Sequence, residues 1–305
     1  MRRGYPDRRV FGGALAGHVR PMVVRTLINR LEHARSLDGL ADALQRGVEA
    51  VLRGRLRDTL HGVWLGHPLH PALVQLPAGA WMSAAVLDAV PGAGSAATVL
   101  VAVGTASAAP AVVTGLNDWA SLSAEQRRVG LVHAGANTIA FGLYAGSLAA
   151  RLGGNRRLGR RLAYAGLTAT SLGAYLGGHL SFRQAAAVSH AAPLLQQIPA
   201  GWHDVGEFAA LTEGKPTVVR LGDVPVLVHR NGDSVTAMIE WCGHQTGPLG
   251  EGDVTDVDGV SCVVCPWHGS TFRLTDGAVV RGPAANDQPL LRTEVAGGRV
   301  RISLP

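Results

Sequence analysis

The sequence predicts an α + β multidomain chain, in which a four-helix transmembrane bundle precedes a small all-β antiparallel sandwich. Four apolar stretches follow one another between residues 71 and 182, each near the roughly 20 residues that a helix needs to cross a bilayer. After residue 202 the pattern changes to short alternating stretches that are typical of strands. Within this second part, two Cys-His pairs recur, Cys242-Gly-His244 and Cys265-Pro-Trp-His268. The 305 residues suffice for two domains.

Residues 1–60 form a basic region with 12 Arg and no Lys. From Met22 to Leu60 apolar residues recur near helical spacing, which predicts one amphipathic helix or a pair. Such a helix would lie on an anionic membrane face or pack on the protein's own body, and the sequence leaves both open. Arg8-Arg9 faintly resembles a twin-arginine export signal, but the residues that follow break too early for an apolar signal core.

Residues 61–185 are predicted to be the four-span transmembrane domain. The expected spans are Pro71 to Val90, Ala96 to Leu116, Val129 to Ala150 and Leu162 to Phe182. Small residues dominate them, and in lipid such residues let helices approach closely. Pro77 and Pro110 are expected to kink the first two helices. A buried bundle in a soluble protein is the alternative, and four such stretches in series favour the membrane.

The distribution of arginine predicts the orientation in a cell (inner or plasma) membrane. An even number of spans places both termini on one side. The region before the first span and the second connection together hold 14 Arg, against 5 in the third connection. The positive-inside rule therefore predicts cytoplasmic termini and a cytoplasmic C-terminal domain.

The overall charge makes nucleic acid an unsuitable partner. Residues 204–305 hold 13 Asp and Glu against 8 Lys and Arg, so the excess positive charge lies in the apolar part. Its basic side chains flank apolar stretches without the interleaved aromatic residues that stack on bases. Membrane lipid is the expected partner of this part.

Residues 186–203 are predicted to be a linker, and residues 204–305 a small antiparallel sandwich. The expected strands are Thr217–Leu221, Val224–Arg230, Ser234–Ile239, Gly259–Val264, Ala278–Arg281, Leu290–Val295 and Arg299–Ser303. Asn231-Gly232-Asp and Ala296-Gly-Gly298 are hairpin turn signals. The segment from Glu251 to Gly259 is expected to be a surface loop.

The two Cys-His pairs supply two thiolates and two imidazoles, the ligands of a Rieske-type [2Fe–2S] centre. A tetrahedral zinc site is the rival, although zinc fingers run Cys, Cys, His, His and this chain alternates the two types. The flanking residues, Cys242-Gly-His244-Gln-Thr-Gly-Pro-Leu and Cys265-Pro-Trp-His268-Gly-Ser-Thr-Phe272, closely resemble the Rieske family over roughly residues 202–305. A gap of 20 residues separates the pairs, a few more than is usual in the family.

The resemblance implies that Cys242 and Cys265 hold one iron and that His244 and His268 hold the other. Three neighbours are expected to tune the cluster: Ser270, Phe272 and Trp267. Respiratory members have a Tyr where Phe272 stands, and they carry a disulfide for which this chain lacks a fourth Cys. The third thiol, Cys262, is expected to be a buried structural residue. We therefore expect an intermediate to low reduction potential for the cluster. A redox titration that gives a potential near the top of the Rieske range would contradict this expectation.

A second set of polar residues lies in the membrane part, within Gly66-His67-Pro-Leu-His70-Pro, Thr114-Gly-Leu-Asn-Asp118-Trp and Gly177-Gly-His179. These motifs resemble an uncharacterised four-helix membrane family, which implies an architecture and no chemistry. Because alternate spans reverse direction, one membrane face would carry His67, His70, Asp118, His133, Asn137 and His179. We expect these residues to form a pocket for haem b or a quinone, or else to be polar helix ends that contact headgroups. The other histidines show no pairing pattern, His61 among them.

The function predicted from the sequence is one-electron transfer by a membrane-anchored iron–sulfur protein. Its partners would be a soluble redox protein and a membrane quinone, haem or enzyme complex. No facial triad for mononuclear iron and no Gly-rich dinucleotide motif occurs, so a component of an oxidoreductase system is favoured over a stand-alone enzyme. Two alternatives remain: a redox-sensing or structural membrane protein, and a quinol-oxidising subunit.

Overall fold

The computed structural model describes residues 23–305, with side chains from residue 26 onward, so the Arg8-Arg9 prediction lies outside the described residues. Helices come first in the chain and strands follow. The helices are α1 (Val23–Glu32), α2 (Asp38–Val51), α3 (Gly54–His61), α4 (Leu69–Leu73), α5 (Gln75–Ala89), α6 (Gly94–Trp119), α7 (Ala124–Leu152) and α8 (Arg156–Gly178). A π-helical turn, His179–Arg183, continues α8.

The amphipathic region forms three helices, because the extended residues Leu52 and Arg53 separate α2 from α3. All three pack on the protein's own bundle. Arg128 of α7 donates to both carboxylate oxygens of Asp38 at 2.6 and 2.9 Å, and Ile28 of α1 is buried in a cluster with residues of α7 and α8. These contacts agree with the alternative in which the amphipathic helices pack on the protein itself. Attachment of the exposed Leu40 and Val51 to a membrane stays a prediction.

Each of the four apolar stretches forms a helix, and α5 to α8 pack as two hairpins, α5 with α6 and α7 with α8. Among the described residues, two helical segments are long and apolar enough to cross a membrane, Leu69–Ala89 and Gly94–Trp119. The transmembrane four-helix bundle therefore stays a prediction for all of α5 to α8. A break at Val74 separates α4 from α5 near Pro77, which cannot donate to the carbonyl of Leu73 and clashes with it, whereas α6 runs through Pro110 without a break. The kinks expected at Pro77 and Pro110 stay predictions.

The small residues of the bundle give space to one buried aromatic pair. The rings of Trp81 and Tyr144 stack with their centroids 4.1 Å apart. A Cβ at Gly104 would lie 2.5 Å from Trp81, and one at Gly166 would lie 2.9 Å from Tyr144. A side chain at either glycine would push the helices apart, so close helix approach here depends on glycine.

The second part of the chain consists of two antiparallel sheets. The strands are β1 (His203–Glu207), β2 (Pro216–Leu221), β3 (Val224–Asn231), β4 (Ser234–Ile239), β5 (Asp253–Val257), β6 (Val260–Val264), β7 (Thr271–Arg273), β8 (Val279–Arg281), β9 (Leu290–Ala296) and β10 (Arg299–Ser303). One sheet has the order β1-β10-β9-β4-β3-β2, and the other has the order β5-β6-β7-β8. We call this antiparallel β-domain, residues 203–305, the head.

Both predicted hairpin turns are confirmed, since Gly232, Gly297 and Gly298 adopt positive φ between paired strands. The surface loop predicted for residues 251–259 is wrong. Its residues Asp253–Val257 form the edge strand β5, which pairs along its whole length with β6. Acidic side chains on an edge strand discourage pairing with another chain. Because the strand is charged, its sequence pattern was typical of a loop.

The segment predicted as a linker is not a free tether. Its short 3₁₀ helix, Ala192–Gln197, buries Leu194 against the larger sheet, and Ile198 is buried beside it. His190 N donates to the carbonyl of Gly243 at 2.9 Å. Burial of these apolar residues fixes the segment to the head, close to the first Cys-His pair.

Candidate functional site

The two Cys-His pairs lie on two loops that close by backbone hydrogen bonds. The first loop follows β4: Cys242 N donates to the carbonyl of Gly247 at 2.9 Å, and Thr246 N donates to the carbonyl of Cys242 at 2.8 Å. The second loop joins β6 to β7: Cys265 N donates to the carbonyl of Ser270 at 2.8 Å, and Gly269 N donates back to Cys265 at 3.0 Å. Each loop therefore presents its Cys at a fixed point.

The structure brings the four predicted ligand side chains together. The rings of His244 and His268 have centroids 5.0 Å apart and stand nearly perpendicular. Cys242 and Cys265 are both buried, and their thiols are hydrogen-bonded to each other. The two thiols therefore meet inside the head and the two imidazoles meet at its edge.

Gly247 is required by the closeness of the two loops. A Cβ at this position would lie 2.7 Å from Cys265 Sγ and 3.2 Å from Trp267 Cγ. A larger residue would therefore push the second loop away and separate the two Cys-His pairs.

The electrostatics suit metal ligation. The hydrogen bond from Cys242 and the backbone amides of Trp267 and His268 outweigh burial and lower the pKa of Cys265 to about 6, so this thiolate is favoured at neutral pH. Its hydrogen-bonded partner Cys242 has a raised pKa, because the pair shares a proton and is buried. Burial and the neighbouring His268 lower the pKa of His244 to about 4, so its imidazole is neutral.

These residues fit a two-iron cluster better than a single zinc ion. His244 Nδ1 is a buried nitrogen without a hydrogen-bond partner, as expected of an atom whose partner is a metal. In the described part of the chain, no three His, Cys, Asp or Glu side chains converge on one ion position. A zinc site would draw four ligands to one point, whereas a Rieske centre takes two ligands at each of two irons.

Several side chains support the two loops. Ser270 is fully buried, and its Oγ accepts a hydrogen bond from Ala284 N at 2.9 Å. Gln288 was not singled out from the sequence, yet its Oε1 accepts from Gly243 N at 3.0 Å and its Nε2 donates to the carbonyl of Trp241 at 2.9 Å. Phe272 is fully buried beneath the second loop. A lone glutamine before a strand carries no sequence signal, so Gln288 could be found only in the structure.

The head docks on one end of the bundle through the segment 282–285, which also supports the second loop. His61, the last residue of α3, has Nε2 2.5 Å from the carbonyl of Pro283 and Nδ1 2.6 Å from Asp118 Oδ1. Asp58 accepts a hydrogen bond from Gly282 N at 2.9 Å. His61 is buried, and its partners left no pairing pattern in the sequence because they come from residues distant along the chain. We call Asp58, His61 and Asp118 the docking triad.

Both ring nitrogens of His61 face oxygen acceptors, which requires the imidazolium form. Burial lowers the pKa of His61, but the hydrogen bond and charge of Asp118 and the carbonyl of Pro283 outweigh it, and the net direction is upward. The imidazolium of His61 therefore lies between the carboxylate of Asp118 on the bundle and the carbonyl of Pro283 on the head.

The docked head turns one of its two loop histidines toward the bundle. His244 is half-buried, and the backbone carbonyl of Ser121, just after α6, interacts with its ring. His268 and Trp267 are exposed on the other side. Between bundle and head lies a cavity of about 30 Å³, which His61, Asp118, Ser121 and His244 help to line. This volume holds a water molecule or two.

The polar residues predicted to form one membrane pocket fall into separate groups. Asp118 belongs to the docking triad, and His179 pairs with Glu32 of α1 at 2.7 Å. His67 is exposed and contacts the carbonyl of the next residue. His70, His133 and Asn137 remain together inside the bundle. Sequence topology placed all six at one end of the bundle, but side-chain contacts could not be read from it.

The comparisons with known proteins define the class of the head. Residues 201–294 match the Rieske [2Fe–2S] domain family. The chain is 30% identical over 105 residues to the anthranilate 1,2-dioxygenase ferredoxin subunit of Burkholderia cepacia, covering 34% of this chain and 94% of that protein. It is 31% identical over 86 residues to ferredoxin CarAc of Metapseudomonas resinovorans, covering 28% of this chain and 77% of that protein. The chain therefore belongs to the Rieske iron–sulfur proteins, and its head is a ferredoxin-like electron-transfer domain.

The remainder of the chain identifies the particular fusion. Residues 66–190 match a family described as predicted membrane protein, DUF2231. The protein is thus a Rieske [2Fe–2S] domain joined to a DUF2231 membrane-protein domain. Among solved structures it is similar to the ferredoxin of carbazole 1,9a-dioxygenase from Nocardioides aromaticivorans IC177, with 24% identity and a TM-score of 0.32 over 35% of this chain and 100% of that chain.

Proposed function

We propose that the protein is a membrane-anchored electron carrier, in which one electron passes between a soluble redox protein and an acceptor in or beside the bundle. The proposal rests mainly on the unequal exposure of the two loop histidines. His268 is exposed beside Trp267, whereas His244 is half-buried against the bundle. When bound, a [2Fe–2S] cluster supplies a one-electron couple. Cys242, His244, Cys265 and His268 would hold it.

The exposed surface formed by Trp267 and His268 suits a soluble protein partner. Trp267 is 57% exposed and stands 6.4 Å from the ring of His268, centroid to centroid. The head carries an excess of acidic residues, which favours a partner with a basic patch. The relative from Burkholderia cepacia is a ferredoxin subunit of a dioxygenase, so the expected partner class is a protein of an oxidoreductase system.

The small size of the cavity beside His244 favours this proposal over the quinol-oxidising alternative. Pockets for small organic ligands span about 300 Å³ or more, whereas the cavity beside His244 has about 30 Å³. A quinone ring therefore has no room at His244 while the head is docked. The redox-sensing alternative differs in turnover, because a sensor changes partner binding without passing electrons on.

The test uses Trp267→Ala in full-length protein, reduced by NADH through a purified flavoprotein ferredoxin reductase with a basic docking face. We expect cluster reduction to slow about tenfold, because loss of this side chain removes about 1.4 kcal/mol or more of an aromatic docking contact. Stopped-flow absorbance follows the reduction, and electron paramagnetic resonance (EPR) confirms that the cluster is retained.

The matched control is Trp202→Ala, which removes another exposed tryptophan, near Arg301. Its reduction rate should stay at that of the parent protein. Equal rates of cluster reduction in the parent protein and in Trp267→Ala would show that Trp267 is not part of the docking surface. A cluster that is reduced but never passes its electron to membranes from the source cells would favour the sensor.

Membrane anchoring and orientation form a further part of the proposal. The DUF2231 match and two apolar helical segments support anchoring, and the arginine distribution supports a cytoplasmic head. We expect the protein to resist extraction by alkaline carbonate. Protease should reach the head in inverted vesicles and not in intact spheroplasts, and the reverse result would overturn the orientation.

The docking triad gives a prediction about the contact between the two domains. In Asp58→Ala the amide of Gly282 loses its acceptor, so its hydrogen exchange should become about tenfold faster, corresponding to a net hydrogen bond of ~1–1.5 kcal/mol. Exchange mass spectrometry of a peptide spanning residues 279–287 measures this rate.

Asp204→Ala is the control for this experiment, since Asp204 pairs with Arg299 on the exposed side of the head. It should leave exchange at Gly282 unchanged. Fast exchange at Gly282 already in the parent protein would show that the head does not stay docked in solution.

A further inference from the structure

Two histidines inside the bundle are not used by the docking triad or the cluster loops. His70 belongs to α4, directly before the first predicted span, and His133 belongs to α7, in the third predicted span. Their ring centroids lie 6.4 Å apart, and the ring planes are inclined by 82°. Ionisable residues inside a membrane domain are costly and commonly mark a functional site.

Each ring is held by one nitrogen on a neighbouring helix. His70 Nδ1 lies 2.8 Å from the carbonyl of Ala111 in α6, and His133 Nδ1 lies 2.8 Å from the carbonyl of Gly173 in α8. Because a carbonyl only accepts, both Nδ1 atoms carry the proton and both Nε2 atoms keep a lone pair. Metal-bound histidines show this arrangement: one nitrogen donates to a carbonyl or carboxylate, and the other binds the ion.

The second nitrogens are not needed to hold the helices together. Asn137 Nδ2 donates to His133 Nε2 at 3.2 Å. Within the described residues, His70 Nε2 forms no hydrogen bond. Hydrogen bonds between membrane helices account for the Nδ1 contacts, but they leave His70 Nε2 without a hydrogen-bond partner and His133 Nε2 bound only within its own helix, to Asn137.

Glycines clear the space around these side chains. A Cβ at Gly115 would lie 2.8 Å from the ring of His70, and one at Gly177 would lie 3.2 Å from the ring of His133. A Cβ at Gly173 would lie 2.5 Å from Asn137 Oδ1. Three helix positions therefore exclude side chains at this one place.

We propose that His70 and His133 bind a redox-active transition metal, iron or copper, through their Nε2 atoms. An ion between two imidazoles lies about 2 Å from each nitrogen, which places the two ring centres about 6 Å apart, close to the observed 6.4 Å. Imidazole suits both metals. The ion is either bare or the iron of a haem, and Asn137 would turn away from His133 when the metal binds.

The role of this site rests on the proposed function. The metal would be the acceptor on the bundle side: the cluster loses one electron and the metal ion gains it. Metal binding itself can be tested without electron transfer, so the two proposals can fail separately.

The experiment measures metal and haem in the full-length protein purified in detergent, and after titration with haemin and with Cu²⁺. We expect one equivalent of haem with a Soret band, or one equivalent of copper or iron beyond the two irons of the cluster. In His70→Gln and His133→Gln this equivalent should be lost, while the reduced Rieske EPR signal remains. Glutamine can still donate to the carbonyls of Ala111 and Gly173, so both variants keep the interhelical hydrogen bond.

His67→Gln is the matched control, because His67 lies at the same end of the bundle but is exposed. It should keep the additional equivalent. A Soret band identifies haem iron, and its absence with bound copper or iron identifies a bare ion. A parent protein that binds neither beyond its cluster, or glutamine variants that keep the metal, would overturn the site. Such a result would leave the Trp267→Ala experiment intact as the test of electron entry at the head.

Discussion

Replacing Cys265 by Ser is expected to abolish the cluster. The buried thiolate of Cys265 would supply one of the two cysteine ligands of one iron, and a serine hydroxyl at this position stays protonated near neutral pH. The reduced-state EPR signal and the visible absorption should both disappear, and bound iron should fall by two equivalents. Iron analysis and EPR on the purified variant measure both effects.

Cys262→Ser provides the control within the same loop region. Cys262 is also buried, but it lies on β6 and its thiol contacts the carbonyl of Val260 at 3.4 Å, away from the other two cysteines. Its variant should keep the full EPR signal. An intact Rieske signal in Cys265→Ser, or a protein that holds one zinc ion and no iron, would refute the assignment of these ligands.

Asp88→Ala is expected to destabilise the bundle more than any exposed substitution. Arg151 Nη1 donates to Asp88 Oδ1 at 2.9 Å, and the two side chains are only 2% and 4% exposed. Removing one partner leaves a buried charge unpaired, which costs about 3–5 kcal/mol in the free energy of unfolding. Denaturant titration in detergent, followed by circular dichroism, measures the loss.

The control is Asp276→Ala, which breaks the exposed pair with Arg273 and should cost less than about 1 kcal/mol. The double variant Asp88→Ala with Arg151→Met should recover most of the lost stability, since an apolar side chain tolerates burial that a lone charge does not. Equal destabilisation by the single and the double variant would contradict this explanation.

The strands that the sequence predicted are those whose turns and alternation carry local signals. The hairpin of β9 and β10 follows from Ala296-Gly-Gly298, where the glycines provide positive φ. The strands that it missed, β1, β5 and β7, are short or charged, and pairing with partners elsewhere in the chain defines them. A local sequence pattern is weak evidence for a strand that forms only by pairing with a distant part of the chain.

The membrane part shows the same division. Apolar length predicted four long helices, and each of the four stretches is helical, the first of them divided into α4 and α5. The partition of the polar residues did not follow from the sequence, because six residues at one end of a bundle can pair in many ways. In the folded protein Asp118 pairs with His61, His179 pairs with Glu32, and His70 lies beside His133.

The sequence by itself determined the class of the head, since two Cys-His pairs at fixed short spacing specify ligands without reference to the rest of the fold. Only the tertiary structure decided which loop histidine faces the bundle and which faces solvent. That choice depends on contacts between Asp58 or His61 and residues more than 200 positions further along the chain. Hydrogen-bond partners so far apart leave no periodic trace in a sequence, because they are selected by packing after the local elements have formed.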